Sequence, residues 1–188
     1  MKYVLALILL TLAGCSQAHP RDNALRITFS GGGLCSATAV GPHLILSAEH
    51  CFKGDRLVTI NGEPAYALRL VKDGNDHVLV RVSKRFKTWA RMGSNPEPGT
   101  HVQMWGNALG LSFAYREAYV SVYKDEDILY AGSDTAPGDS GSGLFAPDGS
   151  VVGVVTGTKS VVFKNGSAFT LLWTMRLKFS ADQLREIR

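Results

Sequence analysis

The chain has 188 residues, which fits one domain with a sizeable core and does not require two. Its 45% hydrophobic and 19% charged content belongs to a folded globular protein and excludes intrinsic disorder. The formal net charge of +4 comes from basic residues that read as scattered, without the clustered basic stripe and stacking aromatics of a nucleic-acid reader, so no nucleic-acid partner is expected.

The chain begins with Lys2 and the apolar run YVLALILLTLA, too short for a spanning helix and of the right length for a secretory signal. The run ends in LAGC, residues 12–15, and small residues before a cysteine resemble a bacterial lipobox. Residues 1–14 are therefore expected as a lipoprotein signal peptide, with Cys15 lipidated and 15–23 a short tether; the alternative is an ordinary signal cleaved near Ala18. Ser16 after the cysteine points to an outer-membrane lipoprotein facing the periplasm. Export makes three cysteines an awkward number. With Cys15 taken by lipid, Cys35 and Cys51 remain as a pair in a compartment that permits a disulfide, against the alternative of two buried thiols.

Residues 24–188 read as a single domain of short strands. ALRITFS, CSATAVG, HLILSA, RLVTI, AYALRLV and HVLVRV come first, then HVQMWG, AYREAYVSVY, SVVGVVTG and AFTLLWTMRL. All are rich in β-branched, aliphatic and aromatic residues, and turn-forming clusters such as SGGG, NGEP, SNPEPG and PDGS separate them. The pattern predicts an all-β barrel or sandwich. Only SADQLREIR reads as helix, with Ser180 and Gln183 as a capping box and Leu184 and Ile187 facing inward. No cysteine and histidine spacing fits a metal site, and no cofactor is expected.

Three stretches carry chemistry together. LILSAEHCF presents His50 after a strand, NDHVLVRV places Asp76 at the mouth of another, and PGDSGSGLF sets Ser140 among glycines. A serine hydroxyl needs a base to take its proton as it attacks, and imidazole suits that task. A carboxylate on the other ring nitrogen holds the imidazole tautomer. Glycines around the serine let backbone N–H groups reach a developing oxyanion, a role that falls to Gly138 and Ser140. The order His50, Asp76, Ser140 is that of chymotrypsin, not of subtilisin or the α/β-hydrolases, and Ser142 stands where a hydrolase elbow needs glycine.

On these residues the chain resembles the chymotrypsin-like serine peptidases, in their small bacterial and phage branch. SAEHC is similar to the family motif AAHC, NDHVLV to the strand after its aspartate, GDSGSG to GDSGGP, and WGNALG to the GNPxG turn of bacterial members. The likeness spans roughly residues 25–188. It implies two packed antiparallel six-stranded β-barrels with the site in the cleft between them, a Cys35–Cys51 disulfide bracketing the histidine, and peptide-bond hydrolysis by a monomer on protein or peptide substrates. Within KDGND, Asp73 competes with Asp76 for the third triad position.

Departures from the family pattern set further expectations. Glu49 replaces a small residue before His50, either pointing to solvent or acting on the imidazole. No activation segment precedes the first strand, so no zymogen cleavage is expected and Asp139 must find a partner other than a new N-terminal ammonium. Asp134, with Val155, Thr156 and Gly157, is the expected substrate pocket, leaning to a basic P1 residue. The competing function is a lipid-anchored, non-catalytic binding protein on the same fold, with Glu49 as its only support; an esterase would share the machinery.

Overall fold

The computed structural model describes residues 19–162 and 164–187; the signal segment 1–14 and Cys15 lie outside the described residues. The first half of the chain builds β1 (Ala24–Phe29), β2 (Leu34–Gly41), β3 (Leu44–Ala48), β4 (Leu57–Ile60), β5 (Glu63–Pro64), β6 (Ala67–Lys72) and β7 (His77–Val82). The second half builds β8 (His101–Gly106), β9 (Ala114–Lys124), β10 (Asp127–Ala131), β11 (Gly143–Phe145), β12 (Val151–Val154), β13 (Gly157–Val162) and β14 (Ala168–Met175), followed by α1 (Ala181–Ile187).

Each half forms one antiparallel sheet, in the order β5, β4, β1, β2, β3, β7, β6 and the order β12, β11, β8, β9, β10, β14, β13. In both, the two edge strands are consecutive in the chain, so the short connection between them draws the ends of each sheet toward one another. This is the all-β two-barrel class that the sequence implies.

Each barrel carries seven strands where six were expected, for local reasons. In the first, the two-residue β5 ends in Pro64, which lacks an N–H and is tolerated only at an edge. In the second, the expected strand SVVGVVTG breaks at Val155–Thr156. Val155 N–H donates to Ser142 O at 2.9 Å and Val155 O accepts Gly141 N–H at 2.8 Å, so this residue serves the serine-bearing loop in place of the ladder.

The chain's alternation sorts side chains between cores. Val78, Val80 and Val82 of β7 join Ile27, Ile45 and Ile60 inside the first barrel. Leu79 faces the other way, into an inter-barrel layer with Leu46, Trp105, Phe145, Val151 and Ile187. β7 is buried on both faces, with His77 and Arg81 on the same face as Leu79. The capping box forms as expected, with Gln183 N–H on Ser180 Oγ at 3.1 Å and Ser180 N–H on Gln183 Oε1 at 2.8 Å. It starts a helix whose Ile187 is wholly buried, a contact worth about 1.5–3 kcal/mol.

Residues 20–23 were expected within the tether but form a 3₁₀ turn (Pro20–Asn23) that buries Asn23. His19 packs edge-on to Trp105, with ring centroids 5.2 Å apart. The proline-started turn has an apolar wall to lie on, a feature that no local pattern reveals.

Candidate active site

His50 lies in a 3₁₀ turn (Glu49–Phe52) that follows β3, and Asp76 lies just before β7, the neighbour of β3. The strand pairing Ala48↔His77 brings the two ends together. Asp76 then grips the turn with every acceptor it has. Its Oδ2 stands 2.7 Å from His50 Nδ1, its Oδ1 accepts the His50 backbone N–H at 2.9 Å, and its carbonyl accepts the Glu49 N–H at 2.7 Å. The residue adopts φ +59°, a left-handed conformation that aspartate tolerates better than most side chains. The carboxylate fixes both the orientation of the ring and, by accepting Nδ1–H, its tautomer.

Asp73, the competing carboxylate, is engaged elsewhere. Its Oδ2 lies 2.7 Å from His77 Nδ1, with both side chains fully buried, and it also accepts the backbone N–H groups of Asn75, His77 and Lys178. Burial alone would push this carboxyl up, but the hydrogen bond and charge of His77, with the Asn75 and Lys178 N–H groups, outweigh it and hold the carboxyl below its ordinary value. Asn75 donates from Nδ2 to the Arg176 carbonyl at 2.9 Å, tying the Asp76 turn to the segment after β14.

Ser140 sits in the turn between β10 and β11. Its carbonyl accepts the Ser36 N–H at 2.8 Å, next to Cys35, and lies 3.8 Å from Cys51 Sγ. Cys35 and Cys51 form a disulfide, so that sulfur has no proton to donate and the approach is a packing contact. The bridge thus links the strand that holds Ser140 to the residue after His50.

The backbone around Ser140 is pinned from behind. The Pro137 carbonyl accepts Leu109 N–H at 2.7 Å, and the Asp139 carbonyl accepts Ser142 N–H at 2.8 Å. In a trans peptide the N–H points opposite to the C=O, so these bonds turn the Gly138 and Ser140 N–H groups the other way. Among the described residues neither N–H has an acceptor. Gly138 has φ +101°, and a Cβ there would drive into the Asn107 carbonyl oxygen. Ser36 Oγ donates to the Gly138 carbonyl at 2.8 Å and accepts Asn107 Nδ2 at 2.8 Å, while Ser47 Oγ donates to the Ser36 carbonyl at 2.7 Å. Ser36, Ser47 and Asn107 are fully buried and were not singled out in the sequence. Only the asparagine's place in WGNALG hinted at a role.

Asp139, fully buried, finds its counter-charge in Arg116 of β9, whose Nη1 donates to Oδ2 at 2.8 Å. The expected partner other than a terminal ammonium is thus an arginine built into the barrel wall. Glu49 pairs with Lys72, its Oε1 3.1 Å from Nζ.

Residues 14–166 of the chain match the trypsin family. The chain belongs to that family of serine endopeptidases. No curated protein sequence matches it. Solved structures share the fold at low identity. The Rv3671c protein of M. tuberculosis H37Rv, in an inactive form, is 18% identical with a TM-score of 0.67, over 89% of this chain and 87% of that one. A Glu endopeptidase in complex with MPD is 17% identical, TM-score 0.65, over 90% and 92%. The MamO protease domain from Magnetospirillum magneticum is 16% identical, TM-score 0.60, over 83% and 92%.

The four residues expected at the substrate pocket do not line one cavity. Asp134 is exposed and lines an open cavity of about 520 Å³ with Arg116, Glu117, Ser133 and Thr170. Val155 does not join it, because its side chain is wholly buried in the second barrel and its backbone is held by the serine loop. Thr156 and Gly157 are half-buried at the strand break and do not line that cavity either.

Proposed function

We propose that the chain hydrolyses peptide bonds through a Ser140–His50–Asp76 triad and an acyl-enzyme, on a domain tethered to the bacterial envelope by lipid on Cys15. The observation that carries the reading is the double grip of the Asp76 carboxylate on His50, ring and backbone together. With Nδ1–H donated to Asp76, Nε2 of His50 serves as the base. Ser140 Oγ attacks the substrate carbonyl carbon as Nε2 takes its proton, and the Gly138 and Ser140 N–H groups receive the oxyanion. Collapse expels the amine, which takes the proton from His50. Water then repeats the sequence with the same base, releases the acid and regenerates Ser140.

Asp134 and Glu117 line the same cavity, and the charge of Arg116 beside them is already met by Asp139, which supports a lean toward basic P1 residues. A scan of P1 residues tests it: no preference for Lys or Arg, or an unchanged preference in Asp134→Ala, removes the lean. The non-catalytic alternative rests on Glu49 beside the histidine, and the Glu49–Lys72 ion pair weighs against it.

A chromogenic ester tests the acyl-enzyme. An initial burst stoichiometric with enzyme, absent in Ser140→Ala, is the expected outcome. Turnover that survives in Ser140→Ala would exclude the triad.

A further inference from the structure

We propose that the segment between the barrels, with the grooves around Trp89, docks on an anionic lipid surface; this rests in part on the proposed anchor at Cys15. The cations that read as scattered in the sequence concentrate here. Residues 81–91 hold Arg81, Lys84, Arg85, Lys87 and Arg91, with no acidic residue among them. Lys84 pairs with Glu63 and Arg91 with Asp148, whereas Arg85 and Lys87 are exposed and make no ion pair among the described residues. The acids of α1 are already neutralised, Asp182 by Arg185 and Glu186 by Arg69.

Trp89 stands in the middle of this charge, 47% exposed. Its indole borders grooves of about 350 and 390 Å³ walled by Val40, Leu44, Leu184 and Ile187. A half-exposed indole with two exposed cations that make no ion pair among the described residues, Arg85 and Lys87, a few residues before it matches the headgroup region of an anionic bilayer, where tryptophan sits at the interface and lysine and arginine meet phosphate.

The path of the chain selects a lipid surface over an acidic protein. Asn23 lines the same cavity as Trp89, so the N-terminal segment enters the fold at this face. Residues 20–23 are folded against the domain, which leaves a short spacer back to Cys15. Four residues, from Cys15 to His19, span at most about 14 Å. A lipid on Cys15 would tether the chain at His19, four residues before Asn23, and so hold the side of the fold that Asn23 and Trp89 share close to the headgroups.

Every described strand, the cores and α1 lie within residues 19–187, so the chain from His19 onward is the folded unit to test without its lipid. It is mixed with phosphatidylcholine vesicles with and without phosphatidylglycerol. The expected result is sedimentation with the anionic vesicles alone, a blue shift of Trp89 emission, and release by salt. Arg85→Ala with Lys87→Ala weakens binding about 25-fold, at about fivefold per cation, and Trp89→Ala abolishes the blue shift. Neither variant changes turnover of a small soluble substrate. No binding to anionic vesicles, equal binding to neutral ones, or binding indifferent to these substitutions overturns the proposal. So does preference for polyglutamate over vesicles, which would assign the face to an acidic protein. The mass of the mature N-terminus reads the Cys15 anchor separately, so either reading can fail while the other stands.

Discussion

His77 Nδ1 lies 2.7 Å from Asp73 Oδ2, the same separation as between His50 Nδ1 and Asp76 Oδ2, so one short turn supplies the carboxylates of two imidazole–carboxylate pairs. The first is fully buried and the second partly open. Only an accessible imidazole can exchange protons with a substrate, so of the two it is His50 that can serve as the proposed base.

The buried pair makes stability depend on acid. The Asp73 carboxyl is held below its ordinary value of 3.8, so as pH falls the unfolded chain takes up this proton before the folded one does. The stabilisation is complete above the ordinary value and is lost as pH falls through the folded one. Urea unfolding across that acid window should show a steep slope in wild type and a shallower one in Asp73→Asn; equal slopes would contradict the assignment.

On the proposed mechanism, the open pair makes catalysis depend on Asp76. Asp76→Asn should lower kcat by about 10⁴-fold, because an amide facing Nδ1 favours the wrong imidazole tautomer. Asp73→Asn should cost far less activity. Steady-state kinetics of the two variants side by side decides which carboxylate serves the reaction.

Arg116 should be required for a competent Ser140 turn. Arg116→Met leaves the Asp139 carboxylate buried and unpaired, at a cost of about 3–5 kcal/mol. Arg116→Lys restores charge but not the planar fork, and should recover only part of the loss. Chemical denaturation and turnover, measured together, check both, and full stability in Arg116→Met would show that the pair is dispensable.

Gly138 should tolerate no side chain. Alanine there meets the Asn107 carbonyl and must adopt a φ that L residues avoid. Displacing the N–H should lower kcat about 10² to 10³-fold with little change in KM. A rise in KM at constant kcat would instead mark Gly138 as a ground-state binding element.

The short strands, the capping box and the three motif stretches were legible because each depends on local pattern or on residue order, whereas the two barrels and the Cys35–Cys51 disulfide were implied by the family resemblance that those motifs carry. What stayed hidden depends on contacts distant in sequence. Asp73 and His77 are four residues apart, but only the β3–β7 pairing and the Lys178 N–H show that they form a buried unit. Arg116 lies 23 residues before Asp139 on an otherwise ordinary strand. Val155 looked like a strand residue available to line a pocket, and became a backbone clamp because the Ser140 turn needs its N–H and C=O.

The central claim is that Ser140 is a nucleophile activated by His50. Labelling the folded protein with a fluorophosphonate and mapping the adduct by peptide mass spectrometry tests it most directly. The account predicts one adduct per chain, on Ser140, lost in Ser140→Ala and sharply reduced in His50→Ala. No adduct on correctly folded protein, or an adduct on another residue that survives Ser140→Ala, would contradict it.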